Sequence, residues 1–413
     1  MRFLFLCALF LHFSVSSHSQ NSSAGKLLFS KNDDSIDIAK VFLELEKELN
    51  PAIHVETYLN QIDCIAQIVR CEFDSCRDIQ DSLDIISQFI FQKQELSFQD
   101  DCEFISDIFD KQCGNCASFS ACYLAVANRL GIKNIYSVLA PSHVFLRYDR
   151  NGRKINIETT QQGNNYSNDW YRYYFHVSEK FMHSDTYFRN LSIREFIAVL
   201  INNRGSEFLR KGNRKKAYED FNTAISIFPT LAEAYFGLAD YYNDLGDTKK
   251  ALQGYGKVIQ YNSEFANVYC NRGLLYDKIG LLDSAIKDYN AAIRINPNFK
   301  EIFYNRGVVY TKKGNYAQAL NDFTTAITMK SDYADAYYNR GCARNLSKDY
   351  AGAVRDYTTT INLGHATADT YIYRGDCRNA IGDKKGACED WNIGFKMGYK
   401  SKNKKRILKY CGK

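Results

Sequence analysis

Cys116, His143 and Glu158 have the residue types of a cysteine nucleophile with its base and orienter. Cys116 opens the apolar run Cys116-Ala117-Ser118-Phe119-Ser120, which reads as the start of a buried helix extending to Leu130 and ended by Gly131. Free N–H groups and the helix dipole at such a start favour a thiolate. His143 begins the strand-like run His143-Val144-Phe145-Leu146-Arg147-Tyr148, and Glu158 lies in the next one, Ile155-Asn156-Ile157-Glu158-Thr159-Thr160. The chemistry these three support is acyl transfer or amide hydrolysis. The backbone N–H of Cys116 would serve as an oxyanion donor, and Gln112 and Asn115 are candidates for a second.

The elements around these residues make the triad geometric. The two strands are joined at Asn151-Gly152, a strong hairpin signal. A two-residue turn there sets Phe145 opposite Glu158 and His143 opposite Thr160, with all four side chains on one sheet face. His143 and Glu158 become diagonal neighbours, with Cα atoms roughly 7–8 Å apart. Another strand is expected over 134–139. Residues 35–98 read as helical, with apolar faces Ile36, Ile38, Val41, Phe42, Leu45, then Ile62, Ile65, Ile68, Val69, then Leu83, Ile86, Phe89, Ile90.

From Ala198 the chain repeats every 34 residues, six times. Position 8 is Gly205, Ala239, Gly273, Gly307, Gly341 and Gly375, and position 20 is alanine throughout, from Ala217 to Ala387. Position 24 is Phe221, Tyr255, Tyr289, Phe323, Tyr357 and Trp391. Each copy reads as two antiparallel helices. Small residues allow close backbone approach, an aromatic fills the space between the helices, and neighbours must stack to bury the apolar faces. Position 7 is arginine and position 23 aspartate in every copy but the second, which has Leu238 and Gly254. Their joint loss predicts an Arg–Asp pair between the two helices of each other copy, worth roughly 0–1 kcal/mol if exposed. Asn203, Asn271, Asn305 and Asn339 recur beside the arginine at position 6. Ile407-Leu408-Lys409-Tyr410 reads as part of a terminal capping helix.

These features carry two resemblances. The repeats resemble the tetratricopeptide (TPR) repeat, in which position 6 lines a groove that holds an extended peptide. The Cys116 helix, His143 strand and Glu158 strand resemble the transglutaminase-like fold, a relative of papain-type cysteine proteases. The resemblance is strongest to the bacterial SirB-type branch, which also joins this domain to TPR repeats. Thr186-Tyr187-Phe188-Arg189-Asn190-Leu191-Ser192-Ile193-Arg194-Glu195 resembles that branch's closing segment, and Ser192 with Glu195 forms a helix capping box. Many members of the branch lack the cysteine, and Asp is common where this chain has Glu158. The expected architecture is a signal peptide at 1–19, then an α+β transglutaminase-like domain at 35–197. That domain comprises a helical part at 35–100 and the Cys/His/Glu core at 101–197. Six TPR repeats forming an all-α superhelix follow at 198–399, with a capping helix and tail at 400–413, and the chain is mostly helical overall.

Arg2, the apolar run Phe3 to Val15 and Ser17-His18-Ser19 have the pattern of a cleaved secretory signal, so export to a periplasmic or extracellular space is expected. Cys7 falls inside that run, preceded by Leu4-Phe5-Leu6, and is a poor lipid-attachment cysteine. No later stretch is long and apolar enough to span a bilayer. Of the twelve cysteines beyond Cys7, Cys388 and Cys411 are a candidate bridge pinning the last repeat, with two free thiols as the alternative. The net charge of +6 divides into −6 over residues 1–197 and +12 over 198–413, part of it in the Lys-rich tail from Lys400. No pattern of basic and aromatic residues points to nucleic acid. No metal site or cofactor is expected.

Three functions follow. The first is a thiol enzyme of acyl-transfer type whose TPR groove binds a protein or peptide. The second is a non-catalytic interaction scaffold. The third is thiol–disulfide exchange at Cys113-Gly114-Asn115-Cys116, in which Cys113 and Cys116 could pair.

Overall fold

The computed structural model describes residues 35–73, 76, 78–175, 177–401 and 404–412. The leader expected over 1–19, with Cys7, lies outside the described residues. The chain forms two compact units, residues 1–263 and 264–413.

The first unit begins with three helices: α1 (Ile38–Lys47), α2 (Val55–Glu72) and α3 (Ile79–Ser87). Asp37 caps α1 by accepting from the amides of Ala39 and Lys40. Ile38, Val41, Phe42 and Leu45 are its buried face, as their helical spacing requires. On α2 the apolar stripe is shorter than expected. Ile62, Ile65 and Val69 are buried, but Ile68 is 51 % exposed because it falls outside the arc they define. A two-residue strand β1 (Ser97–Phe98) then pairs in parallel with β2 (Cys113–Gly114), and α4 (Ile105–Asp110) lies between them in sequence.

Helix α5 (Cys116–Arg129) is the central element, buried along most of its length. It ends where Gly131, with φ +78°, donates to Asn128 O and Ile132 donates to Ala127 O. A three-stranded antiparallel sheet follows: β3 (Ile135–Ala140), β4 (His143–Arg150) and β5 (Arg153–Ile157), with β4 in the middle. Pro141 and Ser142 turn β3 into β4, with Ser142 left-handed at φ 59°. Asn151 and Gly152, at φ 51° and 79°, make the tight turn into β5. Helix α6 (Asn168–Tyr174) follows β5, and the segment 186–191 runs beside β3, Phe188 donating to Leu139 O and Leu191 to Ser137 O.

Helix α7 (Ile193–Arg210) starts at the Ser192–Glu195 capping box and is the first helix of the array. It runs unbroken through residues 197 and 198, so the α+β domain and the array share an element. It pairs with α8 (Arg214–Ile227), and α9 (Ala232–Asp244) with α10 (Thr248–Tyr261). Tyr187 connects this part of the array to the preceding domain. Its hydroxyl donates to Glu233 Oε1 at 3.0 Å and accepts from Asn262 Nδ2 at 3.1 Å.

The second unit holds four more helix pairs. They are α11 (Ala266–Lys278) with α12 (Leu282–Ile295) and α13 (Lys300–Lys312) with α14 (Tyr316–Met329). The others are α15 (Ala334–Leu346) with α16 (Tyr350–Asn362) and α17 (Ala368–Ala380) with α18 (Lys384–Lys396). A Cβ added at Gly273, Gly307, Gly341 or Gly375 would stand 2.8–2.9 Å from the ring of Tyr289, Phe323, Tyr357 or Trp391, which accounts for the paired recurrence of these residues. Helix α19 (Lys404–Cys411) closes the array. Cys411 is disulfide-bonded to Cys388, Cα to Cα 5.5 Å, and Tyr410 donates to Asn379 Oδ1.

All five Arg–Asp pairs form, each through two hydrogen bonds of 2.6–3.0 Å: Arg204–Asp220, Arg272–Asp288, Arg306–Asp322, Arg340–Asp356 and Arg374–Asp390. The carboxylates are buried, so the small energy that would hold for exposed pairs does not apply. In the second copy a Cβ on Gly254 would lie 2.7 Å from the Cβ of Ala239, so glycine there makes room for alanine at position 8.

Candidate active site

The segment entering α5 is held from both sides. Cys102 and Cys113 form a disulfide, Cα to Cα 5.8 Å. The Cys102 carbonyl accepts from Asn115 N at 3.0 Å and from Ser118 Oγ at 3.2 Å. Gly114 lies under the Phe119 ring, 2.5 Å from where a Cβ would be, so only glycine fits without displacing that ring. Asn115 is the helix cap, its Oδ1 accepting from Ala117 and Ser118. The cap takes those two amides and not that of Cys116, which at the first helical position has no partner within the helix. With its oxygen committed to the cap, Asn115 has only its NH₂ for a second oxyanion contact, while Gln112 is an exposed left-handed residue at φ 55°. Cys116 is a free, half-buried thiol. Its expected partner in the redox reading, Cys113, is bonded to Cys102 instead, so Cys113-Gly114-Asn115-Cys116 is not a disulfide couple here.

The hairpin register is the one the Asn151-Gly152 turn requires, from Arg150 opposite Arg153 to Leu146 opposite Ile157. It stops one residue before Glu158. There the backbone leaves the ladder: Glu158 N donates to Asn164 O, and Glu158 caps a 3₁₀ turn over Thr159–Gln161. His143 therefore has Ala140 as its ladder partner on β3, and Thr160 does not face it across the hairpin as expected. The departure still brings the side chains together. His143 Nε2 and Glu158 Oε2 are 2.8 Å apart, both groups buried. Glu158 Oε1 accepts from Thr160 N at 2.9 Å and Thr160 Oγ1 at 2.6 Å, which fixes the carboxylate. The hydroxyls of Thr159 and Ser120, 3.2 Å apart, tie this turn to α5.

With Nε2 engaged by Glu158, Nδ1 of His143 is left for the Cys116 side chain beside it. Burial opposes a charge on His143, but the hydrogen bonds to Cys116 and Glu158 and their charges outweigh it, and its pKa is pushed up to about 9. Burial likewise opposes a charge on Glu158, but the bond and charge of His143 and the Thr160 bonds hold its carboxyl below the ordinary range. The site is a buried imidazolium–carboxylate pair next to a thiol.

Two groups that sequence reading did not single out build the rest. Arg147, two strand positions beyond Phe145, is buried. It donates to Asn156 Oδ1 at 2.8 Å, Asn168 Oδ1 at 2.8 Å and Phe188 O at 3.0 Å. It thus fastens α6 and the segment at 188 to the sheet. Helix α6 and the residue after it lay two rings over the site. Phe175 stacks on His143 at 4.8 Å, and Tyr171 stacks on Phe145 at 3.9 Å. The available signal was an arginine inside an apolar strand, a position that is buried only when its donors are satisfied.

The recurring asparagines are all half-buried. Asn339 Nδ2 donates to Tyr304 OH at 2.9 Å and Asn305 Nδ2 to Cys270 Sγ at 3.9 Å, so each engages the preceding helix pair. Asn203 Oδ1 accepts from Asn202, and Asn271 also has a partner. Among the described residues no cluster suited to a metal ion occurs, and no helix is long and apolar enough to cross a membrane.

Comparison with known proteins matches both parts. Residues 56–202 match the model of the transglutaminase-like superfamily. Residues 266–299 and 288–321 match tetratricopeptide repeat models, and residues 239–280 and 309–345 match a TPR repeat model. The chain thus carries a transglutaminase-like domain and a C-terminal TPR array, and is mostly helical. No match is found among curated proteins. Solved structures similar to it include PilF of Pseudomonas aeruginosa, at 19 % identity over 52 % of this chain and 98 % of that one, with a TM-score of 0.46. PilW, a type IV pilus biogenesis factor, is 16 % identical over 51 % and 98 %, with a TM-score of 0.44. A TPR protein from Parabacteroides merdae is 24 % identical over 52 % and 84 %, with a TM-score of 0.37.

Proposed function

We propose that this chain is an exported, SirB-like thiol enzyme that cleaves or transfers acyl groups from amides, with Cys116 as nucleophile, His143 as acid and base, and Glu158 as orienter. The observation that supports it best is the buried His143–Glu158 bond at 2.8 Å, next to the one free cysteine at the start of α5. A structural helix needs no such pair beside its first residue.

The reaction proceeds in two halves. The Cys116 sulfur attacks the amide carbonyl carbon, and the oxyanion accepts from the Cys116 amide. The C–N bond breaks and the amine leaves with the proton of His143, giving a thioester. Water or a second amine then attacks the thioester carbon, passing its proton to His143, and the sulfur departs. Water gives hydrolysis and an amine gives transamidation. Glu158 keeps the ring oriented and offsets its charge throughout.

TPR repeats generally bind proteins, and here the array would present a protein or peptide to the domain it adjoins. Export is supported by the N-terminal pattern and by the disulfides Cys102–Cys113 and Cys388–Cys411, which suit an oxidising compartment. The test is a panel of amide substrates, with and without a primary amine, against the wild type and Cys116→Ala. Turnover lost in the variant supports the reading. Equal turnover, or none by a chain whose TPR array still binds a partner, contradicts it in favour of a scaffold.

A further inference from the structure

Tyr171 is buried, and its hydroxyl oxygen is one of four buried side-chain polar atoms among the described residues with no hydrogen-bond partner. The ring is held flat on Phe145, 3.9 Å away at 15°, and 6.4 Å from the His143 ring at 29°. A phenylalanine would stack equally well, so the packing does not account for the oxygen. That oxygen lies beside Glu158, whose charge and side chain both act on it, but the contact falls short of a fully formed hydrogen bond.

The carboxylate has capacity for one more donor. Oε1 accepts twice from Thr160, whereas Oε2 accepts only from His143. While His143 carries its proton, the imidazolium neutralises Glu158. Once that proton leaves with the amine, a carboxylate that is 1 % exposed faces a neutral ring. A buried charge in that state most needs a donor. We infer that Tyr171 is a positioning residue that turns its hydroxyl onto Glu158 Oε2 when His143 becomes neutral, and so eases the loss of the His143 proton.

The inference rests on the proposed triad, and its test is separable from that reading. The groups acting on His143 are Cys116 from α5 and Glu158 from the turn after β5. Those acting on Tyr171 are Glu158, Arg147 from β4 and Tyr166 from the approach to α6. The experiment follows the His143 imidazole by NMR titration in the full chain, comparing wild type with Tyr171→Phe. Removing a donor that favours the neutral ring should raise the His143 midpoint by roughly half a unit to one unit. In a Glu158→Gln background the same change should leave the midpoint where it was. Thermal stability should be unchanged or higher, because the hydroxyl lost has no partner in the folded state. An unmoved midpoint in Tyr171→Phe overturns the inference, as does an equal shift with Glu158 absent. If Cys116→Ala retains full amide turnover, the enzymatic reading fails, while the titration still decides the role of Tyr171.

Discussion

His143 Nε2 stands 2.8 Å from Glu158 Oε2 although the two residues are not ladder partners. The contact exists because the chain leaves β5 at Ile157 and curls into a 3₁₀ turn capped by the same carboxylate that orients the ring. One side chain therefore closes a turn with one oxygen and orients the imidazole with the other. Replacing Glu158 by Gln should disturb both.

The pair makes stability depend on pH. The folded pKa of His143, about 9, is raised above the unfolded value of about 6.5. Its contribution is therefore complete below about 6.5 and lost as pH rises through about 9, to the extent of about 3 kcal/mol. Glu158, held below its ordinary range, contributes above that range and loses its contribution as pH falls through its folded value. Urea unfolding from pH 6 to 10 should show the wild type losing stability that His143→Gln does not lose. Parallel curves would contradict this.

The repeat pairs should behave as buried ones. Asp322→Ala leaves Arg306 without its two carboxylate bonds and should cost about 3 kcal/mol, read as a drop in the midpoint of urea unfolding. Arg306→Met with Asp322→Leu should recover most of it. A single-variant loss below about 1 kcal/mol would instead match an exposed pair.

The Cys102–Cys113 disulfide has a structural role, since the Cys102 carbonyl also accepts from Asn115 N at the entry to α5. Cys102→Ser with Cys113→Ser should lower stability by about 3 kcal/mol through the loop it releases while leaving Cys116 alkylation within a few-fold of wild type. Abolished alkylation in this double variant, with the chain still folded, would restore a redox role for Cys113.

Much of the site was legible because it depends on local rules. The start of α5 at Cys116 and the register of the hairpin followed from an apolar run and an Asn-Gly turn. The Arg–Asp pairs were readable because six copies of one unit show which positions change together. Their burial was not, since it depends on neighbouring helices. The partner of Cys113 was left open by spacing alone, because disulfide pairing is set by distance through space, and Cys102 is brought in by the β1–β2 pairing. Arg147 and Tyr171 were missed for the same reason: their roles come from α6 folding back over β4.

The most direct test of the account is the rate of iodoacetamide alkylation at Cys116, mapped by mass spectrometry, in wild type and in His143→Ala. Fast labelling is expected at Cys116 near neutral pH, faster than at the exposed Cys64 and Cys71, with a fall of at least ten-fold in the variant while the rates at Cys64 and Cys71 stay constant. A Cys116 that labels no faster than those two, or equally fast without His143, would contradict it.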